Sequence, residues 1–186
     1  MALTRLTTRT AAALWATLLL LTGAALAGAP AASATASAGL VTCPVGTQTT
    51  TYSPGLRLPA TPAPTVSLHT DGTLGPCVSL DGHHTGAVYK ADGSGKLNCL
   101  GGNSSGGGSL NWSDPGAATS KFTFTGGISL RPDGVTVLVL NGTVTSGDFA
   151  GKHLVVTVVL LSTDLTACLT PTGLTTSSGP FTASVL

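Results

Sequence analysis

The chain has 186 residues, with 8 Lys+Arg against 7 Asp+Glu and a formal net charge of +1. All seven acids are Asp, only one Gln is present, and Thr (31), Gly (25) and Ser (17) dominate. Helix surfaces draw on Glu and Gln, whereas Thr and Val favour strands. The composition therefore excludes a helical bundle, a coiled coil and a Rossmann-type enzyme. Eight scattered basic residues form no patch, which excludes nucleic-acid binding.

Residues 1–34 read as a secretory signal peptide, with residue 38 as an alternative end. Arg5 and Arg9 form a positive n-region, Ala11 to Leu21 an apolar h-region, and Ala32-Ser33-Ala34 or Ala36-Ser37-Ala38 an A-x-A cleavage site. The apolar run is too short for a membrane span, and no longer one follows, so no mature membrane span is expected. Without Arg5 and Arg9, six basic and seven acidic residues remain, a net charge of −1. Residues 35–42 read as a loose leader and 43–186 as a single domain. The expected localisation is secreted, extracellular or associated with the cell envelope.

Cys43, Cys77, Cys99 and Cys168 are an even set in an exported chain, so two disulfides are expected. Strands near 45–53 and 64–74 would run antiparallel, placing the start of one beside the end of the other. That pairs Cys43 with Cys77 and leaves Cys99 for Cys168. The spacings of 34, 22 and 69 contain no C-x-x-C pair, against a metal site. Leu40-Val41-Thr42-Cys43 faintly resembles a lipobox, but Thr stands where a small Gly or Ala belongs.

Thr47 to Tyr52 reads as a Thr-rich strand, ended by a turn at Ser53-Pro54-Gly55. Thr65 to Thr70 alternates as a half-buried strand and Asp71-Gly72 turns the chain. Cys77 to Leu80 is short and apolar. Thr85 to Lys90 and Lys96 to Leu100 flank Asp92-Gly93-Ser94-Gly95, read as a hairpin turn. Gly101 to Ser109 (GGNSSGGGS) reads as a flexible loop. Lys121 to Thr125 alternates, with Phe122 and Phe124 inward. Val135 to Leu140 and His153 to Leu161 form the most apolar hairpin, rich in Val and Leu on both strand faces. Covering its second face needs a loop, a second sheet, or a partner or second copy on the Val135–Leu161 hairpin. Thr166 to Thr170 and Pro180 to Leu186 read as the last strands. The sum is an all-β, meander-rich antiparallel domain of nine or ten strands, a barrel or a sandwich.

The carboxylates argue against catalysis. Asp71, Asp81, Asp92 and Asp133 each precede Gly, and Asp114 precedes Pro-Gly, all turn chemistry. Only Asp148 and Asp164 are left for acid–base work. His83 and His84 are the one metal-like cluster, yet neighbouring strand residues point to opposite faces and no H-x-x-x-H spacing occurs. His69 and His153 are isolated and read as solvent-facing. No serine sits in a G-x-S-x-G elbow. No catalytic residue, metal or cofactor is implied. Trp112, Tyr52 and Tyr89 are the aromatic candidates for ligand stacking, far apart in sequence, and Trp112 shares a face with Leu110.

Three strings carry a resemblance: Thr51-Tyr52-Ser53-Pro54-Gly55-Leu56, Gly142 to Gly151, and Leu165-Thr166-Ala167-Cys168-Leu169, together with Asn111-Trp112. On them the chain resembles a group of uncharacterised exported actinobacterial proteins of similar length. The resemblance implies export and one disulfide-bonded domain, with no activity. The expected role is binding or structural, with cell-wall glycan or a protein partner among the partners. The alternative is a secreted hydrolase or carbohydrate-binding accessory module using Asp148, Asp164 or the His pair.

Overall fold

The computed structural model describes residues 40–58, 63–130, 136–160 and 164–186. The expected signal peptide, Asp133 and the ends of the apolar hairpin lie outside them. Ten strands follow in order: β1 (Val41–Cys43), β2 (Gly46–Leu56), β3 (Thr65–Leu74), β4 (Val78–Ser79), β5 (Ala87–Asn98), β6 (Gly101–Trp112), β7 (Ser120–Leu130), β8 (Thr136–Ser146), β9 (His153–Leu160) and β10 (Leu174–Val185). A short 3-10 helix spans Asp164–Leu169, where the sequence suggests a strand.

The architecture is a barrel, not a sandwich. Strands β2, β3, β5, β6, β7, β8, β9 and β10 pair in that order, each antiparallel to the next, and β10 returns to β2. The long β10 makes the closure. Its Phe181–Val185 half pairs with β9, and its first half, from Leu174 to Pro180, with β2. The two extra strands continue existing ones. Strand β1 runs along β10 ahead of β2, and β4 runs along β1 beyond the end of β3. Since Gly46 faces Leu74 and Thr42 faces Val78, the same register sets Cys43 opposite Cys77.

Cys43 is joined to Cys77 and Cys99 to Cys168. The first bridge lies at the barrel end holding the β3–β5, β6–β7 and β8–β9 connections. The second lies at the opposite end, tying the β5–β6 turn to the 3-10 helix. Each end of the barrel thus carries one covalent staple.

Strand alternation decides what fills the barrel. On β2, Gln48, Thr50 and Tyr52 are buried while Thr47, Thr49 and Thr51 are exposed. Tyr89 stacks on Phe122 at 5.7 Å between ring centroids and lies 5.3 Å from Phe181, so one aromatic group spans the interior. Leu138, Leu140, Leu154, Val156 and Val158 face inward from the apolar hairpin, and Val139, Val155 and Val159 are half-buried on its other face.

Several expected turns lie inside strands. Asp71-Gly72 is within β3 and Asp92-Gly93-Ser94-Gly95 within β5, where Asp92 faces His69. Ser53-Pro54-Gly55 belongs to β2. The Gly101–Ser109 segment is most of β6, paired on both sides. Its inward glycines make room for rings from β7: a Cβ on Gly108 would stand 2.6 Å from Phe122 Cζ, and one on Gly106 2.8 Å from Phe124 Cζ. Burying two Phe rings outweighs the poor strand propensity of glycine. The β5–β6 reversal falls instead at Cys99-Leu100, where Asn98 Oδ1 accepts the N–H groups of Leu100 and Gly101 at 2.8 and 2.9 Å.

Candidate functional site

Three connections meet at the Cys43–Cys77 end of the barrel, and His84 sits between them. Its side chain is 7% exposed, the most enclosed imidazole among the described residues. Nε2 faces Asp148 Oδ2 at 3.0 Å, and Nδ1 faces Asp81 Oδ2 at 3.1 Å. Trp112 stands edge-on to the ring at 4.7 Å, and Phe149 lies against it at 4.5 Å. Phe149 holds a left-handed φ of 64°, rare for a residue with a bulky side chain.

The carboxylates also hold backbone. Asp148 Oδ2 accepts Ala118 N–H at 2.8 Å, and Asp81 Oδ1 accepts His83 N–H at 2.9 Å. Trp112 Nε1–H donates to Ser120 Oγ at 2.9 Å, and Ser120 donates onward to the Asp148 carbonyl at 2.6 Å. Nearby, Asp114 accepts Thr85 N–H at 2.6 Å and the Thr85 hydroxyl at 2.9 Å. These bonds have an electrostatic signature. The His83 N–H holds the Asp81 carboxyl down to about 2, and the Thr85 N–H holds Asp114 below the usual carboxylate range.

A buried imidazole between two carboxylates has the parts of an acid–base pair. A nucleophilic mechanism also needs a hydroxyl or thiol within reach of the base. Of the hydroxyls beside this cluster, Ser120 is directed at a backbone carbonyl and Thr85 at the Asp114 carboxylate. No three His, Cys, Asp or Glu side chains among the described residues are arranged to hold a metal ion.

The sequence candidates are thus dispersed. Asp148 and His84 meet, while His83 is exposed and contributes its backbone N–H. Asp164 belongs to the 3-10 helix at the opposite end, and its side chain lies outside the described residues. The three aromatic candidates form no exposed strip. Tyr52 and Tyr89 are 4% and 1% exposed inside the barrel, and Trp112 is half-buried at its end. Tyr52 Oη pairs with Ser177 Oγ at 3.1 Å. Burial pushes the Tyr89 phenol well above its ordinary range.

A second cluster occupies the outer face. His69 Nδ1 lies 2.6 Å from Asp92 Oδ1 and Nε2 lies 2.9 Å from Asp71 Oδ2, with Lys90 Nζ 3.7 Å from Asp71. Its hydrogen bond to Asp92 chiefly raises the His69 pKa. Reading Asp71 and Asp92 as turn residues hid this group. The signal was His69-Thr70-Asp71, two polar side chains on one strand face.

In comparisons with known proteins, no family model, no curated protein and no solved structure matches the chain.

Proposed function

We propose that this chain is an exported, non-catalytic β-barrel module that binds a partner in the extracellular space or cell envelope. The reading rests on one observation above all. Both nitrogens of His84 face carboxylates that in turn hold the loop N–H groups of His83 and Ala118. The acid–base parts are spent on fastening three loops, so the barrel end serves as a clasp. Side chains fill the barrel interior, which leaves the outer face for recognition. A disulfide at each end accords with an oxidising compartment, and no helix among the described residues is long and apolar enough to cross a membrane. The resemblance to exported actinobacterial proteins supports the same reading.

The test is retention of the purified, disulfide-bonded protein on cell-wall, chitin and cellulose fractions, beside fractionation of the producing cells. Retention by one fraction, with the protein outside the cytoplasm, is the expected result. Cytoplasmic protein with free thiols, or failure to bind any fraction, overturns the proposal. Hydrolysis that disappears in both His84→Gln and Asp148→Asn would establish the hydrolase reading in its place.

A further inference from the structure

The outer face divides into two unlike halves. Around β10, β2 and β3 several outward hydroxyls pair with protein: Thr49 with Ser178 at 2.9 Å, Thr47 with Thr73 at 3.5 Å, and Thr51 with the His69 carbonyl at 3.4 Å. That half also carries a hollow of about 790 Å³, bordered by Asp71 and Lys90, and the face of β6, β7 and β8 differs from it in having an uncharged lining. Two adjoining hollows of about 550 and 640 Å³ cross it and share Ser105, Thr125 and Asn141. Register explains the array. Ser105, Thr125 and Asn141 form one transverse row, and Gly107, Thr123, Thr143 and His153 form the next. Asn103 lies beside the first row, its Oδ1 3.0 Å from where a Gly127 Cβ would be. The missing side chain of Gly127 deepens the trench.

From these features we infer that the trench is a binding site for a neutral glycan chain, a conclusion that rests on the proposed binding role and specifies its ligand. Two carboxamides and several hydroxyls line the trench, and their side chains make no hydrogen bond to protein among the described residues. They offer donors and acceptors together, as the hydroxyls of a sugar chain require. The lining holds no Lys, Arg or Asp, and His153 is its one titratable side chain. Charges of both signs border it: Asp92 and Lys96 on β5 face Gly107 and Asn103, and Lys121 stands two residues along β7 from Thr123 on the same exposed face. A polyanion or polycation therefore finds no complementary field. A peptide strand finds no free edge, because β6, β7 and β8 are paired on both sides. From β6 to β9 the trench spans three strand spacings, roughly 14 Å, long enough for several sugar units in a row.

Affinity electrophoresis tests this in gels containing laminarin, mannan or xylan, with polygalacturonate as the anionic probe. The native protein is expected to be retarded by at least one neutral polysaccharide. Asn103→Ala/Asn141→Ala should weaken that binding at least tenfold with unchanged thermal unfolding, and Thr49→Ala/Ser178→Ala on the opposite face should leave it intact. Retardation by polygalacturonate alone, by no neutral polysaccharide, or equally in the Asn103→Ala/Asn141→Ala variant overturns the assignment. If that variant is retained on cell-wall fractions like the native protein, the trench fails while the binding role stands. If the native protein is retained on no fraction, both fail.

Discussion

His84 Nε2 and Asp148 Oδ2 meet at 3.0 Å although 64 residues separate them in the chain. The same carboxylate oxygen accepts Ala118 N–H, so one side chain joins the β3–β5, β6–β7 and β8–β9 connections. Asp148→Ala would leave a buried imidazole nitrogen and an amide without their acceptor. The expected loss is about 1–3 kcal/mol, the usual cost of orphaned polar groups. Urea unfolding checks it, and Asp148→Asn should recover part of the loss by keeping an acceptor oxygen. An unchanged midpoint in Asp148→Ala would show that the clasp does not hold the loops.

The two staples should differ modestly. Cys43–Cys77 closes 34 residues and Cys99–Cys168 closes 69. In the chain-entropy model each contributes about 4 kcal/mol, the longer loop roughly 0.6 kcal/mol more. Paired Cys→Ser replacements, compared by denaturant midpoint, should rank Cys99/Cys168 as the costlier loss. The opposite ranking would mean that the first bridge also holds the β1–β4 extension in register.

The Cys43–Cys77 pairing was legible because it depends on local geometry. Two neighbouring antiparallel strands set its partners opposite each other, and the Thr-rich run at Thr47 to Tyr52 and the alternation at Thr65 to Thr70 revealed both. The clasp was not legible, since nothing near Asp148 indicates that residue 84 approaches it. The Asp-Gly pairs misled for a related reason. Asp71-Gly72 and Asp92-Gly93 have turn chemistry, yet Gly72 and Gly93 lie inside the barrel, where Phe181 and Phe124 lie close enough to meet a Cβ. Packing across strands took the glycines, and pairing with His69 took the aspartates. Closure of the barrel was beyond strand counting, because it depends on β10 pairing with different partners along its length.

The His69 group gives stability a pH dependence of known sign. Its folded pKa is raised, so the contribution is complete below the unfolded value near 6.5 and fades as pH rises through the folded value. The group is half-exposed, so the effect is small and screened by salt. Native protein should exceed His69→Gln in melting temperature by more at pH 5 than at pH 8, with the gap shrinking at high ionic strength. Asp81 behaves in the opposite sense: its depressed pKa contributes above about 3.8, and that contribution is lost as pH falls toward 2. A gap for His69→Gln that widened at alkaline pH would refute the assignment of the His69 contacts.

The glycine-rich strand yields the sharpest contrast with its sequence. If Gly101 to Ser109 were a flexible loop, Gly108→Ala would be neutral or slightly stabilising, since alanine restricts the unfolded chain. In β6 the new Cβ would meet the Lys90 carbonyl and stand 2.6 Å from Phe122 Cζ. Backbone cannot yield there, and Phe122, 2% exposed, is stacked on Tyr89. Overpacking of this kind costs about 1–3 kcal/mol. The cost should fall when Phe122→Leu is combined with Gly108→Ala, because the smaller side chain vacates the contact. A double-mutant cycle read by urea unfolding separates the cases. Positive coupling places the Phe122 ring over Gly108, whereas simple additivity would mean that the strand adjusts without touching the ring.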